Sequence, residues 1–112
     1  MKNHLIPYTA INLEVFYTGI NLYNHGPGPA TFELVMYRHP DGFKVKTITE
    51  EIPAWHHRLL LPDELSKGSR DCAGRVSIEI QCPDDVHITA QMGNKHGGFG
   101  FLDVKEVANL KK

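Results

Sequence analysis

From Ile20 to Asn24 the chain sets Ile20, Leu22 and Asn24 on one side of an extended backbone and Asn21 and Tyr23 on the other, because side chains alternate with period two in a strand. From Thr31 to Arg38 the same alternation opposes Phe32, Leu34 and Met36 to Thr31, Glu33 and Tyr37, with Val35 a fully apolar residue on the otherwise polar side. Each run predicts a strand with one buried face and one mostly wet face. Between them "NHGPGP" cannot be helical: Pro27 and Pro29 lack amide donors and restrict the residues before them, while Gly26 and Gly28 accept backbone angles that others resist. The pattern predicts a loop of fixed shape.

Residues 1–10, with Pro7 near their end, read as an arm, and "INLEVFY" reads as a first strand in which Ile11, Leu13, Val15 and Tyr17 alternate with Asn12, Glu14 and Phe16. Thr18-Gly19 marks either a tight turn or a bulged continuation into the next run. "HPDG" at 39–42 predicts a turn that closes a hairpin with "FKVKTIT", where Phe43, Val45 and Thr47 oppose Lys44, Lys46 and Ile48. Pro53 breaks that run. "WHHRLLL" then predicts a strand ending at Pro62, with Trp55, His57, Leu59 and Leu61 on one face and His56, Arg58 and Leu60 on the other. "PDELSKGSRD" suits one helical turn followed by loop.

Two runs alternate most cleanly. Val76, Ile78, Ile80 and Cys82 oppose Ser77, Glu79 and Gln81, and after a Pro-Asp turn Val86, Ile88, Ala90 and Met92 oppose His87, Thr89 and Gln91. "GNKHGG" reads as a flexible loop, "FGFL" as a short last strand, and Val104, Val107 and Leu110 behind the capping residue Asp103 predict a short C-terminal helix. About eight short strands with closely spaced turns give an all-β fold, an antiparallel β-sandwich or jelly roll. An open α/β sheet is excluded because no crossover helices are present to join parallel strands.

At 112 residues with 41% hydrophobic content the chain suits one domain over 1–112 with a core of its own. The formal charge of -1 comes from interleaved acids and bases, so a nucleic-acid partner is not expected. No apolar run reaches the roughly 20 residues of a membrane helix, and "MKNHLIPYTA" lacks the apolar stretch of a signal peptide, which predicts no membrane insertion and a cytoplasmic location. Cys72 and Cys82 are separated by a continuous predicted strand, too far apart for a disulfide, so both read as free thiols.

The 7 histidines do not assemble into a metal motif: His56 and His57 point to opposite sides of one strand, and no HxH pair places two imidazoles on one face. His25, His39 and His96 fall in loops. "GNKHGGFG" lacks the Lys-Ser/Thr and the following helix of a phosphate cradle, no serine sits in a nucleophile elbow, and the acids show no pairing. No catalytic residue, metal or cofactor is expected. The candidate contacts are Trp55, Tyr23 and Tyr37, with His57 and Arg58, since aromatic rings on a wet sheet face stack on sugars or fill a partner's pocket. Trp55 has an equally bland alternative, capping the core beside Pro53.

The run "INLYNHGPGPATFELVMYRHPDG…IPAWHHRLLLPDEL…GRVSIEIQCPDDVHITAQ" resembles the sensory rhodopsin transducer family and its soluble relatives over residues 18–92. The shared features are an Asn-x-Gly turn (Asn24, Gly26), an alternating strand ending in Tyr37, a Pro-Ala step (Pro53, Ala54) before a basic strand with His57 and Arg58, and a late strand after a Pro-Asp turn. The resemblance implies a cytosolic β-sandwich that self-associates as a tetramer and acts in signalling by binding a protein or small ligand, without catalysis. The opening residues depart from the family's usual start, so no rhodopsin partner is implied.

The expectation is a non-enzymatic, homo-oligomeric binding protein. A carbohydrate- or metabolite-binding module is the alternative, followed by a metal-dependent jelly-roll enzyme. Tyr23, Tyr37 and Val35 are expected on the subunit contact, unless Val35 and Tyr37 pack beneath the N-terminal arm.

Overall fold

The computed structural model describes residues 2–11, 16–39, 42–62, 74–94 and 98–107. Nine strands run through them: β1 (Lys2–Ile11), β2 (Phe16–Asn24), β3 (Ala30–Arg38), β4 (Lys44–Ile52), β5 (His57–Leu60), β6 (Gly74–Cys82), β7 (Val86–Asn94), β8 (Phe99–Phe101) and β9 (Lys105–Val107). They form two antiparallel sheets, one of five strands in the order β4-β3-β6-β1-β9 and one of four in the order β5-β2-β7-β8. The all-β sandwich expected from the alternation is what the chain adopts.

The core lies between the sheets. Phe32, Leu34 and Met36 of β3, Val76, Ile78 and Ile80 of β6 and Ile6 of β1 meet Ile20 and Leu22 of β2, Leu60 of β5 and Val86 and Ala90 of β7. Burying each of the larger side chains stabilises the fold by about 2 kcal/mol. The hydroxyls of Thr9 and Thr18 are also buried here, satisfied by a hydrogen bond to each other at 2.8 Å that ties β1 to β2.

Four expectations change. Residues 2–11 are not an arm but β1, which lies inside the larger sheet between β6 and β9. The predicted strand over 11–17 is divided between sheets, since Ile11 ends β1 and Phe16 starts β2; residues 12–15 lie outside the described residues. β2 passes straight through Thr18-Gly19, pairing with β7 without interruption from Phe16↔Asn94 to Asn24↔Val86. Finally, Lys105–Val107, predicted as helix, pairs with Asn3–Leu5 as β9. A three-residue spacing of apolar residues too short to nucleate a helix yields to the open edge of β1. The helical turn predicted after Pro62 lies outside the described residues, as does Cys72.

The β3–β4 hairpin forms as expected, with Gly42 at φ 73 and Arg38 N–H donating to Phe43 O at 2.8 Å. Its register slips where Met36 faces Lys46 but Tyr37 faces Lys44, leaving Val45 as the extra residue of a bulge. That is why Val45 and Ile48, assigned to opposite sides by strict alternation, both pack against the core.

Candidate functional site

β2 and β3 leave "NHGPGP" in different sheets, and the buried Asn24 holds that crossing. Its Nδ2 donates to Gly28 O at 2.9 Å, Ile52 O at 3.0 Å and Pro53 O at 3.3 Å, while its Oδ1 accepts from Gly26 N–H at 3.0 Å. The backbone adds Asn24 N–H to His56 O at 2.9 Å and His25 N–H to Asp85 O at 3.1 Å. Gly26 is required by space: a Cβ there would lie 2.9 Å from Asp85 Cβ and 2.5 Å from Asp85 Oδ2. The loop is thus fixed to the ends of β4, β5 and β7.

This loop borders the outward face of the four-stranded sheet. Tyr23 is paired with His57 on one side and His87 on the other, so the three form one lateral row across β5, β2 and β7. The next outward row is Leu59, Asn21 and Thr89, and beyond it Gly19 lies beside Gln91, which pairs with Phe101. A Cβ on Gly19 would touch Leu59 Cδ1 at 3.7 Å and Leu61 Cδ2 and Gln91 Cγ at 3.9 Å, which places both leucine side chains on this face. Leu59 is 45% exposed and Phe101 75%. Among the described side chains, no Asp, Glu, Lys or Arg occupies an outward position of this sheet. An uncharged face with exposed leucines and an exposed phenylalanine is unusual for solvent alone.

At the loop end of the face three rings lie nearly parallel. His25 stacks on His87 with centroids 4.3 Å apart at 26° and on Tyr23 at 6.1 Å and 22°. Nε2 of His25 is buried and has no hydrogen-bond partner among the described residues. Trp55, two residues before His57, is 63% exposed and sits at φ 64, a left-handed conformation that a bulky residue rarely adopts. It does not cap the core. His56 belongs to the same turn, its Nδ1 2.8 Å from Ala54 O. The strand expected from Trp55 begins only at His57, and of its side chains Leu60 is the buried one.

The sequence-predicted contacts are divided by this geometry. Tyr23 and His57 are neighbours, with Trp55 at their end of the sheet. Arg58 alternates with His57 and faces inward at the edge, where Nε donates to Glu50 Oε1 at 2.7 Å and Nη1 to Leu59 O at 2.8 Å, joining the edges of the two sheets. Its pKa is raised further by the Glu50 hydrogen bond. Tyr37 belongs to the other sheet, on the outer side with Val35, so the expected contact uniting Tyr23, Tyr37 and Val35 does not exist as one surface. Burial, reinforced by the neighbouring Glu79, raises the Tyr37 phenol. β1 lies beside β6 in the same sheet and not over Val35.

Leu59, Leu61, Phe101, His25 and His87 were not among the predicted contacts. Alternation gave the sides of Leu59, Leu61 and His87 but not which strands are neighbours, and it assigned no side to the loop residue His25 or to Phe101. Cys82 is buried with Sγ 3.8 Å from His4 Nδ1, and burial pushes its thiol up to about 11. No group of three or more His, Cys, Asp or Glu that could hold a metal ion forms among the described residues. No helix among them is long and apolar enough to cross a membrane.

No family model matches the chain, and no curated protein does. Among solved structures it is similar to the crystal structure of Thermotoga maritima 1070, with a TM-score of 0.61 and 14% identity over 95% of this chain and 90% of that one. At that identity the likeness extends to the fold.

Proposed function

We propose that the chain is a non-enzymatic interaction protein that self-associates through the outward face of its four-stranded sheet and, so assembled, engages a protein partner or small ligand in the cytoplasm. The observation that carries this reading is the face itself: exposed Leu59, Leu61 and Phe101 on a surface whose described outward positions bear no formal charge. Such a face meets a second copy of itself without charge repulsion, as a two-fold contact requires.

Area sets the strength. Four strands about 4.8 Å apart, exposed over about 17 Å of their length, make a plate of roughly 350 Å² in projection, below the ~800 Å² per partner of a standard interface. The association is therefore concentration-dependent. Four copies, as the family resemblance implies, need a second contact in addition.

A cytoplasmic place is supported by the buried, unpaired Cys82 thiol. Sedimentation velocity between 5 and 500 μM tests self-association; these are on the order of concentrations where weak interfaces form. The expected result is a rising mass that Leu59→Glu returns to the monomer with the circular dichroism spectrum retained. A monomeric mass throughout would overturn the reading.

A further inference from the structure

We infer that the open edge of β4 is a second contact between copies of this chain, an antiparallel pairing of β4 with β4 about a two-fold axis at Ile48. β4 ends the larger sheet and pairs with β3 alone among the described residues. Such an edge offers a row of backbone donors and acceptors to another strand. The occupant is decided by the sequence of the strand itself. Pairing with the core residues Met36, Leu34 and Phe32 of β3 places Lys46, Ile48 and Glu50 on the inner side of β4, and Thr47 and Thr49 on the outer side. Lys46 is exposed with no ion-pair partner among the described residues, and Ile48 packs against the core while only half-buried.

In a symmetric antiparallel pair the axis passes through a residue and its own copy, because opposed residues point to the same side of the sheet. Centring on Ile48 sets that residue against itself, Lys46 against Glu50 and Thr47 against Thr49, each of the last two pairs occurring twice. Centring on Thr47 would set Lys46 against Ile48, and centring on Thr49 would set Ile48 against Glu50. Edge charges ordinarily keep other strands away, but here the strand carries the complement of its own charge. Glu50 already accepts from Arg58, and a carboxylate has capacity for a further donor.

The stretch from Lys46 to Glu50 lies beyond the bulge at Val45 and is far smaller than a standard interface, so it does not hold two single copies. The edge contact therefore rests on the proposed face contact. A face two-fold running across the strands leaves both β4 edges of a face-joined pair on one side, where they meet the two edges of another such pair. The edge axis is perpendicular to the sheet and the face axis parallel to it, and perpendicular two-folds that meet close at four copies. Two edge contacts formed together raise each other's effective concentration.

Sedimentation of the full chain at about 500 μM, which populates weak contacts, should show tetramers in equilibrium with dimers. Lys46→Glu sets Glu against Glu50 and should weaken the dimer-to-tetramer step roughly 10- to 100-fold while leaving the dimer, whereas Leu59→Glu should remove both. In a Cys72→Ser background, mild oxidation should trap Ile48→Cys as a covalent pair, since opposed Cα atoms lie about 4.5–5.5 Å apart. Glu51→Cys, whose copies are about 20 Å apart in this register, should not be trapped. A wild-type dimer that only Leu59→Glu dissociates, or a tetramer indifferent to Lys46→Glu with Ile48→Cys trapped no faster than Glu51→Cys, would overturn the edge contact and leave the face. A dimer abolished by Lys46→Glu but not by Leu59→Glu would uphold the edge and overturn the face. A monomer at every concentration would overturn both.

Discussion

Asn24 is an amide that only its neighbours make affordable inside a sandwich. Replacing it by Ala strands the carbonyls of Ile52 and Gly28 and frees the Gly26 N–H. Asn24→Ala should cost about 2–4 kcal/mol, read as a lower midpoint in urea. Gly26→Ala acts through one neighbour, Asp85, whose Cβ cannot swing away. It should cost about 1–3 kcal/mol, and Asp85→Gly should restore most of that in a double-mutant cycle. Two groups give pH dependence of opposite sign. Burial lowers the His4 pKa, so the unfolded chain binds the proton first, and stability is lost as pH falls below about 6.5. His4→Gln should flatten that acid slope. The Cys82 thiol, raised to about 11 from 9.0, holds its proton longer in the fold than in the unfolded chain. Its contribution is complete below pH 9.0 and is lost as pH rises toward about 11. In a Cys72→Ser background, Cys82 should resist a thiol reagent at pH 8 until the protein is denatured, as checked by absorbance.

At the scale of elements, β1 separates a strand from an arm. Ile6 is fully buried and β1 has neighbours on both sides. Ile6→Ala should therefore cost about 2–5 kcal/mol in denaturant melts, where an arm residue would cost a few tenths. The strands β3, β6 and β7 were legible because each alternates cleanly with a buried apolar side. The sequence concealed β1, since Pro7 and a mixed polar pattern resemble an arm, and β9, whose three residues acquire strand geometry from their partner. Asn24 and Gly26 were readable as a turn, but their role in pinning β4 and β5 depends on contacts 28 and 29 residues away. The Trp55 face went astray for a similar reason: alternation grouped His57, Leu59 and Leu61 correctly but could not say that this side of an edge strand faces water and Leu60 the core. His57→Ala should consequently change stability by less than about 0.5 kcal/mol, and Leu60→Ala by about 2–5 kcal/mol.

For the whole molecule, the two outer sheet faces differ in kind. The face of the larger sheet carries Glu33, Glu79 and Tyr37 around a nearly buried Val35, whereas that of the smaller sheet exposes leucine and phenylalanine among uncharged polar groups. The second is the face to which we assign the proposed self-association. The most direct measurement is a dilution series by NMR from about 500 to 5 μM, spanning weak-interface affinities, with the Leu59 and Leu61 methyls and Phe101 ring compared with the Val35 methyls and Tyr37 ring. Leu59, Leu61 and Phe101 should shift or broaden with concentration while Val35 and Tyr37 stay constant. Concentration-independent spectra at both faces, or changes confined to Val35 and Tyr37, would contradict the assignment of the interaction surface to the four-stranded sheet.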